Sequence, residues 1–499
     1  MKRRIFIKLS MFTRVKSFLF HNTSDKQTVA KNTVWLSISN FGGRLIKAVV
    51  VIYAARVLGA AGWGVFSYAV TLAGFLTLFM DPGVNSILMR DASKAPEREQ
   101  KEILSTTFVM KLCFIAIGVV LVLFVAPIFS TLPGAKELLP LVALIIIFDT
   151  LREFFSAFFR SQEKMELDAA IFLFMNLSVV VFGLIFLIIK PVVASFAWGY
   201  VAGTALGCIA ALWVIRRYLK KIFSFFSKNR VLPILKSAWP FAVTGALGIL
   251  LTNTDILIIS WMRSASEVGI YSAAIRIIQI LYIVPYILQA STLPILSRLA
   301  NHDTARFRAI LEKTLHIAFL VAIPMAIAGV LLGTQIMNLV FGAAYISGGM
   351  ALGILMLTML ADYPAMIVGT ATFTYDRQRN LIISTAIAGT LNVAFDLLFI
   401  PHWGIAGSAW ATLIAQAASN AYLWYALKKI NYFTVLPNLK KIIGATAGMA
   451  LGVFALIALK TSAIIIIPAG VILYFALLTL LREPFIKELK GFYDARGQV

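Results

Sequence analysis

Charge is scarce in this 499-residue chain: Asp, Glu, Lys and Arg make up 13% of it, against 60% hydrophobic residues. Soluble domains carry about 25% charged and about 45–50% apolar residues, so a water-soluble globule is excluded. Cysteine is almost absent. Cys113 and Cys208 both sit in apolar segments, which leaves no disulfide framework and marks them as inert core residues. The four histidines are scattered: His21, His302 and His402 fall in tails or loops and His316 at a helix start. No metal-ligand spacing results. There is also no Gly-rich loop ending in Lys-Ser or Lys-Thr, so bound ATP is not the energy source. That leaves an ion gradient, the membrane potential or substrate concentration. No cofactor is expected, beyond proton or sodium coupling.

What the chain does have is long apolar runs, with a mean hydropathy of +0.89. Segments long enough to cross a bilayer recur throughout, and the alternation of a membrane β-barrel is missing. The expected fold is all-α and polytopic, with about 14 spans. The expected divisions are a basic tail (1–30), a six-helix lobe (31–219), a loop (220–232), a second six-helix lobe (233–430), and two appended helices with a tail (431–499). With the N-terminus inside, 35 of the 45 Lys and Arg residues fall in cytoplasmic segments, five outside and five within spans. This bias sets both termini in the cytoplasm and explains the net charge of +23 without nucleic acid. The basic tail is expected to meet anionic lipid. All external connections are short; the longest, 333–348, has room for a short interfacial helix.

The halves repeat. Gly64-Val65-Phe66-Ser67-Tyr68-Ala69 returns 205 positions later as Gly269-Ile270-Tyr271-Ser272-Ala273-Ala274. Trp35 pairs with Trp239, and Ala197-Trp198 with Ala409-Trp410. Each half holds an even number of helices, so the repeat is parallel, about an axis normal to the membrane. Repeats of this kind place the substrate path between the lobes, here in an aqueous cavity.

On these residues the chain resembles the polysaccharide (O-antigen type) flippases of the multidrug/oligosaccharidyl-lipid/polysaccharide exporter superfamily. The turn Leu58-Gly59 to Gly64, followed by Asp81-Pro82-Gly83 and Arg90, is similar to that family's first hairpin. Gly404-Ile405-Ala406-Gly407-Ser408-Ala409-Trp410 is similar to its twelfth helix. The resemblance implies movement of an undecaprenyl-diphosphate-linked oligosaccharide from the cytoplasmic to the external leaflet of a bacterial inner membrane. It also implies partners among other polysaccharide-assembly membrane proteins. A cation-coupled multidrug exporter of the same superfamily is the alternative. A polysaccharide polymerase or ligase would need external catalytic loops, which this chain lacks.

Two polar stripes carry the expected binding site. In the first span Thr33, Ser37, Asn40, Arg44 and Lys47 share one face at helical spacing. A mid-membrane cation costs at least ~2.5–3.5 kcal/mol, so water, an anion or an ion pair must offset it. Capture of a diphosphate and a structural ion pair both meet that need. In the eighth span Arg276 shares a stripe with Ser272, Gln279, Tyr282, Tyr286 and Gln289, which offers hydrogen bonds and aromatic faces to a sugar chain. In lipid II flippases, a related branch, the first and eighth helices contribute such arginines. The second span here offers Ser67, Thr71, Asp81 and Asn85 in place of a cation, which argues against lipid II itself. Among the acids, Asp255, Asp149 and Asp362 are candidate counter-ions or coupling-ion sites. Asp149, Arg152 and Glu153 have the spacing of a self-paired cluster, with Lys111 available to join it. Asp396, like Asp362, is a candidate for binding a cation or proton, but its place near the outer face makes solvation the expected outcome. The prolines of the spans, Pro82, Pro285 and Pro364 among them, are candidate bends.

Overall fold

The computed structural model describes residues 24–219, 222–435 and 439–485; most of the basic tail lies outside them. Among the described residues there is no strand. Eleven helices are long and apolar enough to cross a membrane. Two of these are hairpins. Asp25–Met80 turns at Gly59 (φ 68°) into α1 (25–58) and α2 (60–80), and Gln378–Lys428 turns at Gly404 (φ 56°) into α11 (378–403) and α12 (405–428). Both turns need a left-handed backbone that glycine adopts without steric cost. One further helix, Ala135–Ser161 (α4), is also long enough to cross but carries Asp149, Arg152 and Glu153 along its length. With it the described residues hold the fourteen spans expected.

The others are α3 (Glu97–Val120), α5 (Met165–Ile189), α6 (Val193–Leu219), α7 (Lys228–Met262) and α9 (Thr304–Phe341). The last two are α13 (Lys440–Ala458) and α14 (Ala463–Leu480). Two spans are built from two pieces. They are α8 (Ala265–Leu281, then Ile283–Leu299) and α10 (Gly349–Leu357, then Met359–Thr374). A third piece pair extends α2: after Asp81-Pro82-Gly83 it resumes as Val84–Ala92. The stretch expected as a long external loop is mostly helix. α9 runs to Phe341 because nothing before Gly342 interrupts it, and a 3-10 turn, Ala343–Gly348, follows.

The chain forms two compact units, Met1–Asn253 and Thr254–Val499. In the first, helices touch through glycine. A Cβ on Gly203 of α6 would stand 2.5 Å from the Val179 backbone of α5, and one on Gly199 would stand 2.7 Å from the Phe182 carbonyl oxygen. The spacing of four residues puts Gly199, Gly203 and Gly207 on one face, and lipid offers no hydrophobic drive to replace such contact. Gly203→Leu should therefore lower the thermal unfolding temperature of the purified protein by an overpacking cost of about 1–3 kcal/mol or more. An unchanged melting curve would contradict the close approach. On α1, Gly43 meets Phe172 of α5 in the same way, since a Cβ there would lie 2.4 Å from the ring. It is a packing point.

The connection after α6 is fastened to α3. The Ser227 N–H donates to Thr106 Oγ1 (3.1 Å), and Arg230 reaches Glu99 (2.9 Å) and Glu102 (3.2 Å). Ile234 and Ala238 of α7 then bury themselves with Val84, Ile87 and Met110. In the second unit Gly333 of α9 and Gly349 of α10 repeat the glycine contact, at 2.3 Å from a built Cβ to the carbonyl oxygen. α13 and α14 join this unit's core through Ile442, Met449, Tyr474 and Leu478. Tyr474 donates to the Leu320 carbonyl of α9 (2.7 Å). His316, expected at a helix start, lies within α9 and contacts Glu483 (2.7 Å).

Candidate functional site

The five cations within spans meet different fates. Lys111 and Arg152 are buried and ion-paired. Lys111 Nζ lies 3.2 Å from Asp81 Oδ2, so it joins the α2 break. Arg152 donates to Asp149 (2.9 and 3.0 Å) and Glu153 (2.9 Å), the pairing its spacing predicts. Arg160 extends that network to Glu153 (3.0 Å) and Asp168 (2.6 Å). Asp149 is thus the half-exposed end of a structural ion cluster.

Arg44 stands exposed halfway along α1, next to the exposed apolar residue Leu45. Lys47, one turn on, is half-buried with its ammonium 4.9 Å from the centre of the Tyr200 ring of α6. A desolvated ammonium over an aromatic face gains on the order of 0.5–2 kcal/mol and keeps its donors available. Asn40 shares the helix; its side chain lies outside the described residues.

In the second unit Arg276 is half-buried and donates to Gln279 Oε1 (2.8 Å) one turn on. Gln279 and Tyr286 are exposed. Tyr282 is turned elsewhere: its hydroxyl donates to Asp362 Oδ2 of α10, whose Oδ1 accepts from Asn420 Nδ2 of α12 (3.3 Å).

A second polar cluster was only partly visible in the sequence. Asp255 of α7 accepts from the Tyr271 hydroxyl of α8 (2.6 Å) and from Thr412 Oγ1 of α12 (3.1 Å). Asn392 of α11 donates to the same Thr412 (3.3 Å). Beside Asp255 lies Asp396. Its expected solvation is wrong: it is 0% exposed. Neither of its carboxylate oxygens has a hydrogen-bond partner among the described residues. The cause is the hairpin, which folds α12 back over this face of α11 and sets Ser408 next to it. The hairpin itself is held from the α7–α8 turn, where Arg263 donates to the carbonyls of Ile400 (2.6 and 3.1 Å) and Pro401 (2.8 Å). Two adjacent carboxyl groups, one unpartnered, need a positive charge or a proton between them. Asn392 and Asp396, spaced four residues apart on α11, were the signal available.

This architecture defines an all-helical polytopic membrane protein with an exposed cation in a span and a buried carboxylate cluster. The chain belongs to the polysaccharide biosynthesis protein family, whose model matches residues 29–300. It is 24% identical to a putative O-antigen transporter of Shigella flexneri over 77% of this chain and 93% of that protein. It is 30% identical to a probable flippase, AglR, of Haloferax volcanii, over 35% of this chain and 37% of that protein. Among solved structures, the lipid II flippase MurJ in an inward closed conformation superposes with a TM-score of 0.75, at 19% identity over 91% of this chain and 100% of that one. An inward-facing multidrug resistance transporter of the MATE family gives 0.57, at 17% identity over 80% and 96%. These structural likenesses establish the fold.

Proposed function

We propose that this protein is a flippase, a transporter and not an enzyme, that moves an undecaprenyl-diphosphate-linked oligosaccharide from the cytoplasmic to the external leaflet of a bacterial inner membrane. Family membership and the named relatives support the general class. The finer reading is carried by one observation: Arg44 stands exposed in mid-span, whereas Lys111 and Arg152 are buried against acids. A diphosphate supplies the anion that such an arginine is shaped to take, through paired charge-assisted hydrogen bonds. Arg44 and Lys47 of the first unit and Arg276 of the second are the proposed contacts of the diphosphate, and Asn40, Gln279 and Tyr286 those of the sugars; Tyr282, bonded to Asp362, is not among them. The lipid tail stays in the bilayer, the chain alternates access between the two sides, and both termini remain cytoplasmic.

The Asp255–Asp396 cluster is the proposed coupling site. Carboxylate, amide and hydroxyl oxygens suit a hard cation, and the orphaned Asp396 oxygens fit either sodium or a proton. Asp255, Asp396, Asn392 and Thr412 would hold the ion. Its entry would replace a missing charge partner, which ties ion occupancy to the packing of α7, α11 and α12.

The test is reconstitution. Full-length protein in liposomes should expose undecaprenyl diphosphate carrying one fluorescent N-acetylglucosamine to a membrane-impermeant quencher. It should not drive ethidium efflux. Ethidium efflux without lipid movement would favour the drug-exporter alternative.

A further inference from the structure

The eighth span is bent, and its bend is held from outside. Pro285 has no N–H, so the carbonyl of Leu281, four residues earlier, loses its helical donor. The two pieces of α8 meet at Tyr282. The freed Leu281 oxygen accepts from the hydroxyl of Tyr363, a fully buried residue of α10 (2.6 Å). The neighbouring residue, Asp362, takes the hydroxyl of Tyr282 at the bend itself, and Asn420 ties Asp362 to α12. The Tyr282 and Tyr363 rings lie 6.2 Å apart between centres. Two consecutive side chains of α10 thus grip both the backbone and the side chain of the bend.

The first unit has a counterpart at the same place in its own second helix. α2 breaks at Asp81-Pro82-Gly83, and Pro82 precedes Pro285 by 203 positions, within two of the 205-position repeat. There Asp81 Oδ1 caps the Asn85 N–H (3.2 Å) while its other oxygen meets the buried Lys111 ammonium of α3 (3.2 Å). Each unit pins the break in its second helix with an ionisable pair.

We propose that Tyr363 and Asp362 are positioning residues: they fix the angle of α8, and so the placement of Arg276 and Gln279 before the bend relative to Tyr286 and Gln289 after it. Tyr282 then serves the bend and not the sugar path. The consequence for transport rests on the flippase reading; the bend does not.

The experiment separates the two. Spin labels at Ser266→Cys and Ser291→Cys, in full-length Cys113→Ala/Cys208→Ala protein in nanodiscs, report the bend. A straight helix would separate these positions by about 38 Å along its axis. Pro285→Ala, which restores an N–H to the Leu281 carbonyl, should move the distance toward that value. Tyr363→Phe should broaden the distribution and slow movement of the fluorescent lipid about fivefold or more. In the Pro285→Ala background Tyr363→Phe should change neither reading, and where Tyr363→Phe alone fails to fold, Pro285→Ala should rescue it. An unbroadened distribution, equal broadening in both backgrounds, or failed rescue would overturn the clamp. An altered bend with no lipid movement by any variant, the parent included, would leave the clamp standing and remove the flippase reading.

Discussion

Arg44→Ala should abolish export of surface polysaccharide in cells while the protein still reaches the membrane at parental levels. Arg44 is the exposed mid-span cation, so its loss removes charge from the proposed binding surface without opening a hole in the core. Each hydrogen bond between ionised partners contributes about 1.5–3 kcal/mol, which converts to roughly tenfold to hundredfold in affinity or rate. A guanidinium facing a diphosphate makes two such bonds side by side, a geometry that ammonium cannot copy. Arg44→Lys should therefore retain a measurable fraction of export, and Arg44→Gln almost none. Quantitative blotting of membrane fractions checks insertion, and surface glycan staining checks export. Parental export by well-expressed Arg44→Ala protein would contradict the role.

The second large effect should come from the carboxylate cluster. Asp396→Asn keeps the shape of the side chain and removes one negative charge from a fully buried site. If a cation or proton neutralises the Asp255–Asp396 pair, the variant no longer requires it. Folding should survive, because an uncompensated buried charge costs several kcal/mol and the substitution removes that liability. Coupling should not survive. In liposomes, stimulation of lipid movement by an imposed sodium or proton gradient should fall to none, while slow gradient-independent movement remains. Comparison of the two gradients in the parent identifies the ion. A variant that still responds to the same gradient with the same dependence would dissociate the cluster from energy coupling.

Much of the architecture is legible in the sequence because hydrophobic length and Lys/Arg placement are one-dimensional signals. The span α4 is an example: Asp149, Arg152 and Glu153 put three charges into an otherwise apolar helix, yet their spacing announces a self-paired cluster, and the structure bonds them so. Gly59 and Gly404 likewise mark two turns that leave the backbone nearly helical on either side. What the sequence hides is which faces meet. Asp396 looks like a solvated residue near a helix end, and only the return of α12 buries it. Tyr282 and Asp362 are 80 positions apart and attract notice separately, for different roles. Tyr363 attracts none, because a buried tyrosine in an apolar run reads as core. Lys111 is drawn to Asp81 and not to the α4 cluster, a choice made by the break in α2. Pairings between distant helices depend on rotation about each helix axis, and periodicity fixes a stripe without fixing its partner.

The central claim is that the cation at position 44 sits in water and meets the diphosphate of the lipid carrier. Its most direct test is labelling of Arg44→Cys, in the Cys113→Ala/Cys208→Ala background, with a membrane-impermeant thiol reagent. The account predicts rapid labelling that undecaprenyl diphosphate slows and undecaprenol, the same chain without phosphates, does not. A cysteine that never reacts, or one that reacts equally fast with and without the diphosphate, would contradict it.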